Sequence, residues 1–315
     1  PPFPPMSPRR NFLTKGALGL AAATLTGRTT SAAHHKSKGD AHHDTWFDIS
    51  LAQWSDNKDY WSGKKDKMRF AEITKREYGI HAVEYVNQFY MDGFSPAVTA
   101  ELKRVSDGEG VRNVLIMCDK CGNLGDSNAK QQTKSVEDHI PWLEAAQTLG
   151  CHAIRVNAYG DRKESYGTQL DRTADGLRRL CEIGEKYGQH VIVEPHGGLS
   201  SNGAWLAALM DLVGHPRVGT LPDFANYGSK REGWKYDYYL GTAQSMPYAK
   251  GVSAKTIDFD ENGEESTMDF RRLMQIVKDH GFTGTVGIEF EGKQMDPAVG
   301  IAATRDLLVK LGGRL

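Results

Sequence analysis

The sequence predicts an α/β fold, a single (β/α)8 (TIM) barrel preceded by an export signal and a short polar linker. Three observations carry that prediction. Eight short runs rich in β-branched or aromatic residues alternate with helical patterns from Trp46 to the end of the chain, as parallel strands and their crossover helices must. The helical stretches are apolar at three-and-four spacing, and several stop at a glycine, as C-terminal caps do. No G-x-G-x-x-G fingerprint follows the first strand, which ranks a doubly wound open sheet below a closed barrel. Eight evenly spaced units over residues 46–315 suit closure.

Taken in chain order, residues 1–33 read as a leader. After Met6, the arginines Arg9 and Arg10 precede Phe12 and Leu13, a modest apolar segment from Ala17, and small residues at Ser31 to Ala33. That order is similar to a twin-arginine (Tat) signal peptide cleaved near Ala33, and it sets the expectation of a periplasmic or extracellular protein. The five residues before Met6 are expected to precede the natural start. A basic tail without a targeting role is the alternative. Residues 34–45, with HHKSKGDAHHD from His34, are polar and free of core-forming side chains, so they read as a linker. Nothing in the segment would hold its histidines in a fixed geometry around a metal.

Residues 46–315 form the barrel, with no second domain needed. The strand candidates are WFDISLAQW from Trp46, AVEYV from Ala82, VLIMC from Val114, AIRVNA from Ala153, VIVEPH from Val191, VGTLPD from Val218, GVSAKTI from Gly251 and VGIEFEG from Val286. Between them lie helical stretches such as MRFAEITKREYG, SVEDHIPWLEAAQTLG, TADGLRRLCEIGEKYG, AWLAALMDLVG and DFRRLMQIVKDHG, stopping at Gly79, Gly150, Gly188, Gly214 and Gly281. A last helix, PAVGIAATRDLLVKLGG, closes the chain.

Composition narrows the function classes. A net charge of -1 on 315 residues offers no basic surface to a polyanion, so nucleic acid is not an expected partner. No apolar run approaches the roughly 20 residues that span a bilayer, so no stable membrane anchor is expected. The four cysteines include a C-x-x-C at Cys118 and Cys121. With no second pair at zinc spacing, it reads as incidental residues at a strand end, with a local disulfide as the alternative. The helices show no apolar stripe assignable to a partner rather than to the core, which leaves homo-oligomerisation open.

The chemistry concentrates where apolar runs end in a carboxylate beside a loop, at Glu194, Asp223 and Glu289. In a barrel, strand ends deliver such groups to the C-terminal mouth. Strand alternation puts Glu194 and His196 on one face above Ile192, and Glu289 and Glu291 on another above Gly287, which leaves room. By the same rule Ser253 pairs with Lys255, and Arg155 with Asn157. Crowded carboxylates force one another's protonation unless a cation sits among them, so a bound Mn2+, Mg2+ or Co2+ is the simplest way to keep them ionised. Oxygen-rich ligation with at most one imidazole favours a hard or borderline ion over structural zinc. Taken singly, Glu194 or Glu289 reads better as a salt-bridged strand-end group.

The segments EPHGGLSSN, LPDFANY, VSAKTIDFDENGEE and VGIEFEG, with AVEYV earlier, resemble the sugar phosphate isomerase/epimerase group of the xylose isomerase-like barrel superfamily. The resemblance covers essentially all of the chain after Trp46. It implies a divalent metal held by a Glu on the fifth strand, an Asp on the sixth, a His on the seventh and a Glu on the eighth. Those positions are Glu194, Asp223 and Glu289, with Ser253 standing where the histidine is usual. For the fourth ligand, His196 and a water stand open; Lys255 is the third alternative, filling the space and meeting substrate instead.

The resemblance also implies Glu194 and Glu289 as the acid/base pair, with Lys255 neutralising a developing oxyanion; an ion pair of Lys255 with Asp258 or Glu291 is the other reading. Glu84 resembles a carboxylate that supports the substrate pocket, and its other reading is a buried partner for Arg155. The substrate-binding candidates are Glu84, Arg155, Asn157, His196, Glu291 and Trp54. Trp54 belongs to a set of aromatics near strand ends, with Phe89, Tyr90, Trp205, Phe224 and Tyr227, of which only one or two are expected to stack on a sugar ring.

The expected activity is that of a metal-dependent isomerase or epimerase acting on a small carbohydrate, a sugar or keto sugar, through proton abstraction alpha to a carbonyl and an enediolate intermediate. A lyase or dehydratase acting on a 3-keto sugar or glycoside uses the same base and metal and differs only in the leaving group. A non-catalytic sugar-binding protein would keep the aromatics without needing several carboxylates. An apurinic-site endonuclease on this barrel would need more strand-end histidines and a basic groove, and both are missing.

Overall fold

A computed structural model describes residues 45–229 and 232–313. The export signal and the linker up to Asp44 lie outside the described residues. Eight strands are present among them: β1 (Asp48–Ala52), β2 (Ala82–Val86), β3 (Arg112–Cys118), β4 (Ala153–Val156), β5 (His190–Val193), β6 (Val218–Thr220), β7 (Val252–Thr256) and β8 (Thr285–Phe290). Every ladder is parallel, in the order β6-β5-β4-β3-β2-β1-β8-β7. Single parallel bridges, Thr220 to Ala249 and Asp223 to Ser253, join the sixth and seventh segments and close the barrel.

The helices are α1 (Asn57–Trp61), α2 (Phe70–Tyr78), α3 (Pro96–Glu109), α4 (Ala129–Asp138), α5 (Ile140–Leu149), α6 (Tyr166–Lys186), α7 (Gly203–Val213), α8 (Tyr238–Ser245), α9 (Phe270–Asp279) and α10 (Pro297–Gly312). Every residue of β2, β4, β7 and β8 is buried, because side chains on one face fill the barrel and those on the other meet the helices. The glycines read as helix stops all have positive φ, from 57° to 78°. Among the described residues, no helix is long and apolar enough to cross a membrane.

The elements depart from the sequence pattern in two informative places. The stretch read as one helix ending at Gly150 is two helices, α4 and α5, meeting at His139, where Pro141 at the start of α5 has no N–H to continue the ladder. Strands β5 and β6 stop short of Glu194 and Asp223, at Val193 and Thr220. Pro195 and Pro222 follow closely and cannot donate to a sheet. The two carboxylates therefore stand just past the strands, Glu194 directly after Val193 and Asp223 after Leu221 and Pro222. Asp223 is nevertheless anchored to the sheet, since Ser253 N donates to Pro222 O at 2.9 Å and Phe224 N to Ser253 O at 3.2 Å. All four cysteines are free buried thiols, so Cys118 and Cys121 form no disulfide.

Candidate active site

At the C-terminal mouth of the barrel, Glu194, Asp223 and Glu289 each offer a carboxylate oxygen within 4.8 Å of the others, and all three are buried. Their sequence separation is bridged by the barrel alone. Strand β7 supplies two further groups to the same point. Ser253 Oγ lies 3.1 Å from both Asp223 Oδ2 and Glu289 Oε2. Lys255, level with Glu289 in the β7–β8 ladder, places Nζ 3.1 Å from Asp223 Oδ2, 3.3 Å from Glu289 Oε1 and 3.5 Å from Glu291 Oε2. Of the ion pairs anticipated for Lys255, the one with Glu291 is present, and Asp223 and Glu289 are partners in addition.

On the opposite wall, β4 carries Arg155, whose Nε is 2.8 Å from Glu194 Oε2 and whose other nitrogen is 2.8 Å from Asp119 Oδ1. Asn157 Nδ2 also donates to Asp119, at 2.8 Å, and Asn226 Nδ2 donates to Glu194 Oε1 at 2.9 Å. Glu84 lies deeper. Position 287 must be glycine because a Cβ there would collide with the Glu84 carboxylate, so the room that Gly287 provides is filled from β2. Ser50 Oγ donates to Glu84 Oε1 at 2.5 Å, while Oε2 is buried without a hydrogen-bond partner. Arg155 is committed to Asp119 and Glu194, so Glu84 is not its ion-pair partner.

These surroundings shift the acids in opposite directions. Burial raises Glu84 and Glu289 to about 7, and it pushes Asp223 well up too, because Lys255 only partly offsets the desolvation and the neighbouring glutamates add to it. Burial acts the same way on Asp119 and Glu194 and is the largest single influence, yet the positive charges around them, Arg155 first, together outweigh it and hold both below the usual range. Burial lowers Lys255 as well, but Asp223 and Glu289 more than reverse this and keep the ammonium charged.

A divalent cation fits this donor set. Among the described residues, Glu84, Asp119, Glu194, Asp223, Glu289 and Glu291 face only two committed cations, Arg155 and Lys255, and two of the acids pushed up by burial, Asp223 and Glu289, belong to the convergent group that such an ion would hold ionised. The serine hydroxyl, not an imidazole, occupies the seventh-strand place. His196 does not join the convergent group. The strand alternation used to place it ends at Val193, and its Nδ1 is instead 2.8 Å from Tyr159 OH, which also donates to the His196 carbonyl.

A cavity of about 460 Å³ opens above the cluster. It is lined by Trp54, Arg155, Asn157, His196, Glu289 and Glu291 among the anticipated residues, with Asp119 and Tyr159 in addition. Trp54 Nε1 donates to Glu291 Oε1 at 2.7 Å. Glu84 lines neither this cavity nor the larger one beside it. Of the anticipated aromatics, Phe89, Tyr90, Trp205 and Phe224 are core residues, while Trp54 and Tyr227 reach cavities. Sequence reasoning missed Asp119. It closes the run VLIMCD as Glu194 closes VIVE, so the same strand-end signal marked it.

The comparisons with known proteins agree with this architecture. No curated protein matches the chain. Among solved structures, 3-keto-D-glucoside 4-epimerase from E. coli superposes with a TM-score of 0.63 at 16% identity, covering 84% of this chain and 99% of that one. D-psicose 3-epimerase from Clostridium cellulolyticum H10, solved with D-tagatose, gives 0.61 at 13% identity, covering 84% and 96%. A xylose isomerase-like TIM barrel protein from Mycobacterium smegmatis, in complex with magnesium, gives 0.59 at 15% identity, covering 85% and 97%. At these identities the likeness is one of fold. The profile of the xylose isomerase-like TIM barrel family matches residues 75–311, and the chain belongs to that family.

Proposed function

We propose that the protein is a divalent-metal-dependent isomerase or epimerase of a sugar or keto sugar, working by removal of the hydrogen alpha to a carbonyl. The observation that carries this reading is the convergence of Glu194, Asp223 and Glu289 beneath a polar cavity, with only Glu289 of the three on its wall. Epimerases among the structures of the same fold support it.

Glu194, Asp223 and Glu289 are the residues that would hold the ion. When bound, it would polarise a sugar carbonyl and stabilise negative charge developing on oxygen. Glu289 lines the cavity and takes the proton from carbon. Glu194, fixed by Arg155 and Asn226, is the second carboxylate of the pair. Lys255, within 3.3 Å of Glu289 Oε1, adds positive charge where the oxyanion forms. Arg155, Asn157 and Glu291 offer hydrogen bonds to hydroxyls, and Trp54 offers a ring face. The Tat-like leader supports a periplasmic or extracellular location, hence a free rather than intracellular phosphorylated sugar.

The test is deuterium incorporation from D2O into a panel of keto sugars, with Mn2+, Mg2+ or Co2+ supplied and bound metal measured by elemental analysis. Exchange at one carbon, lost on chelation, is the expected result. Elimination products would assign the lyase alternative, and sugar binding with neither metal nor exchange would assign a binding protein.

A further inference from the structure

A second cavity, about 730 Å³, adjoins the first, and both are lined by His196 and Glu291. Each cavity alone falls in the roughly 300–1,000 Å³ range that houses a whole small-molecule ligand, so one sugar ring leaves most of the space unused. The reacting cluster faces both sides. Glu289 lines the first cavity, while Lys255 and Asn226 line the second.

The second cavity has the composition of a ring platform. Tyr227, Trp234, Tyr236 and Tyr238 line it, interleaved with polar Asn226 and Ser229. That mixture of flat apolar faces and hydrogen-bonding edges matches a sugar ring better than a purely apolar group. The aromatic wall is also held in place. Tyr236 OH donates to Gln244 Oε1 at 2.6 Å and accepts from Ala204 N at 3.1 Å, and the Tyr227 and Tyr236 rings lie 6.4 Å apart, tilted by 32°. Gly228, at φ +82°, lets the backbone at Tyr236 approach, since a Cβ there would come within 2.8 Å of Tyr236 N. Ser229 and Trp234 exchange backbone hydrogen bonds at 2.9 and 3.1 Å.

The residues shared by the two cavities are pinned as well. Tyr159 holds His196 at 2.8 Å, and Trp54 and Lys255 hold Glu291 at 2.7 and 3.5 Å.

We propose that the substrate carries two rings: a reacting keto sugar over Glu289 and a second, glycosidically linked sugar ring resting on Trp234 and Tyr236, with the linkage passing between His196 and Glu291. This rests on the isomerase/epimerase reading and names its substrate class. The experiment compares D-fructose with its glucosyl derivatives turanose, maltulose and palatinose, linked at O3, O4 and O6. Binding is followed by calorimetry and turnover by deuterium exchange on the metal-loaded protein.

At least one disaccharide is expected to exceed fructose in kcat/KM by about ten-fold or more. Trp234→Ala is expected to shrink that advantage by about ten-fold, and Trp234→Phe to restore part of it. Equal kcat/KM for fructose and every disaccharide, or an equal loss for both in Trp234→Ala, overturns the proposal. Tight disaccharide binding that depends on Trp234, without exchange, sinks the catalytic reading and leaves the ring subsite standing. Absence of binding and exchange for all four sugars overturns both.

Discussion

The two walls of the barrel mouth carry similar acids and treat them in opposite ways. On the β3–β5 side, Asp119 and Glu194 share one guanidinium and two amide donors, and both are held below the usual carboxylate range. On the β6–β8 side, Asp223 and Glu289 have one ammonium, one hydroxyl and the Ala225 N–H between them, and burial pushes both up. Arg155 is planar and reaches two carboxylates at once, whereas Lys255 is a point charge spread over three. One wall is electrostatically finished and the other is left wanting a cation and able to take a proton. Under the proposed function, that asymmetry makes Glu289 the group that takes the proton from carbon and Glu194 the carboxylate held opposite it.

The largest effect is expected where the unfinished wall meets the cavity. Glu289→Gln removes the base and is expected to lower the exchange rate by about 10²–10⁴-fold, measured by deuterium incorporation at saturating sugar. Retained exchange would move the base elsewhere and erase the functional difference between the walls. On the finished wall, Arg155→Met leaves Asp119 and Glu194 buried without their cation, and a loss of about 3–5 kcal/mol in urea unfolding is expected.

Glu84 tests the buried end of the unfinished wall by pH. Its folded-state pKa is raised from 4.5 to about 7, so the folded protein holds a proton that the unfolded chain has released. Stability from this group is then highest below pH 4.5, falls as pH rises to about 7 and stays flat above, by about 3 kcal/mol in all. Glu84→Gln is expected to abolish that fall, read from unfolding curves of the metal-free protein between pH 4.5 and 8.

A smaller effect follows from supplying the missing charge. Mn2+ at 100 times its dissociation constant is expected to stabilise the wild type by about 2.7 kcal/mol, with the melting temperature restored by a chelator. The same addition to Asp223→Asn should stabilise much less. Smallest is Ser253→Ala, which removes one hydroxyl from two carboxylates and is expected to cost about 1 kcal/mol in the metal-free protein. A larger loss would mean the hydroxyl matters more than Lys255 to that wall.

Much of this site was legible before folding. Glu194, Asp223 and Glu289 each end an apolar run, and a barrel brings strand ends together whatever their separation along the chain. Asp119 carried the same mark, one residue past the end of β3 at Cys118. His196 lines both cavities but stands outside the convergent carboxylates, since the strand that would carry its alternation ends at Val193. The aromatic cavity was not legible at all. Trp234 and Tyr236 sit in a loop without period, and only the packing of that loop against α7 and α8 turns them into a wall.

By itself the sequence determined the alternation of strands and helices, the closure that follows from eight such units, and which residues stand at the strand ends, because these depend on local propensity and periodicity. Which carboxylates burial pushes up, which Arg155 helps hold down, and how large the cavities of the mouth are were decided only by the tertiary structure. Charge neutralisation and cavity volume depend on distances and burial between groups far apart in the chain, and no local pattern encodes them.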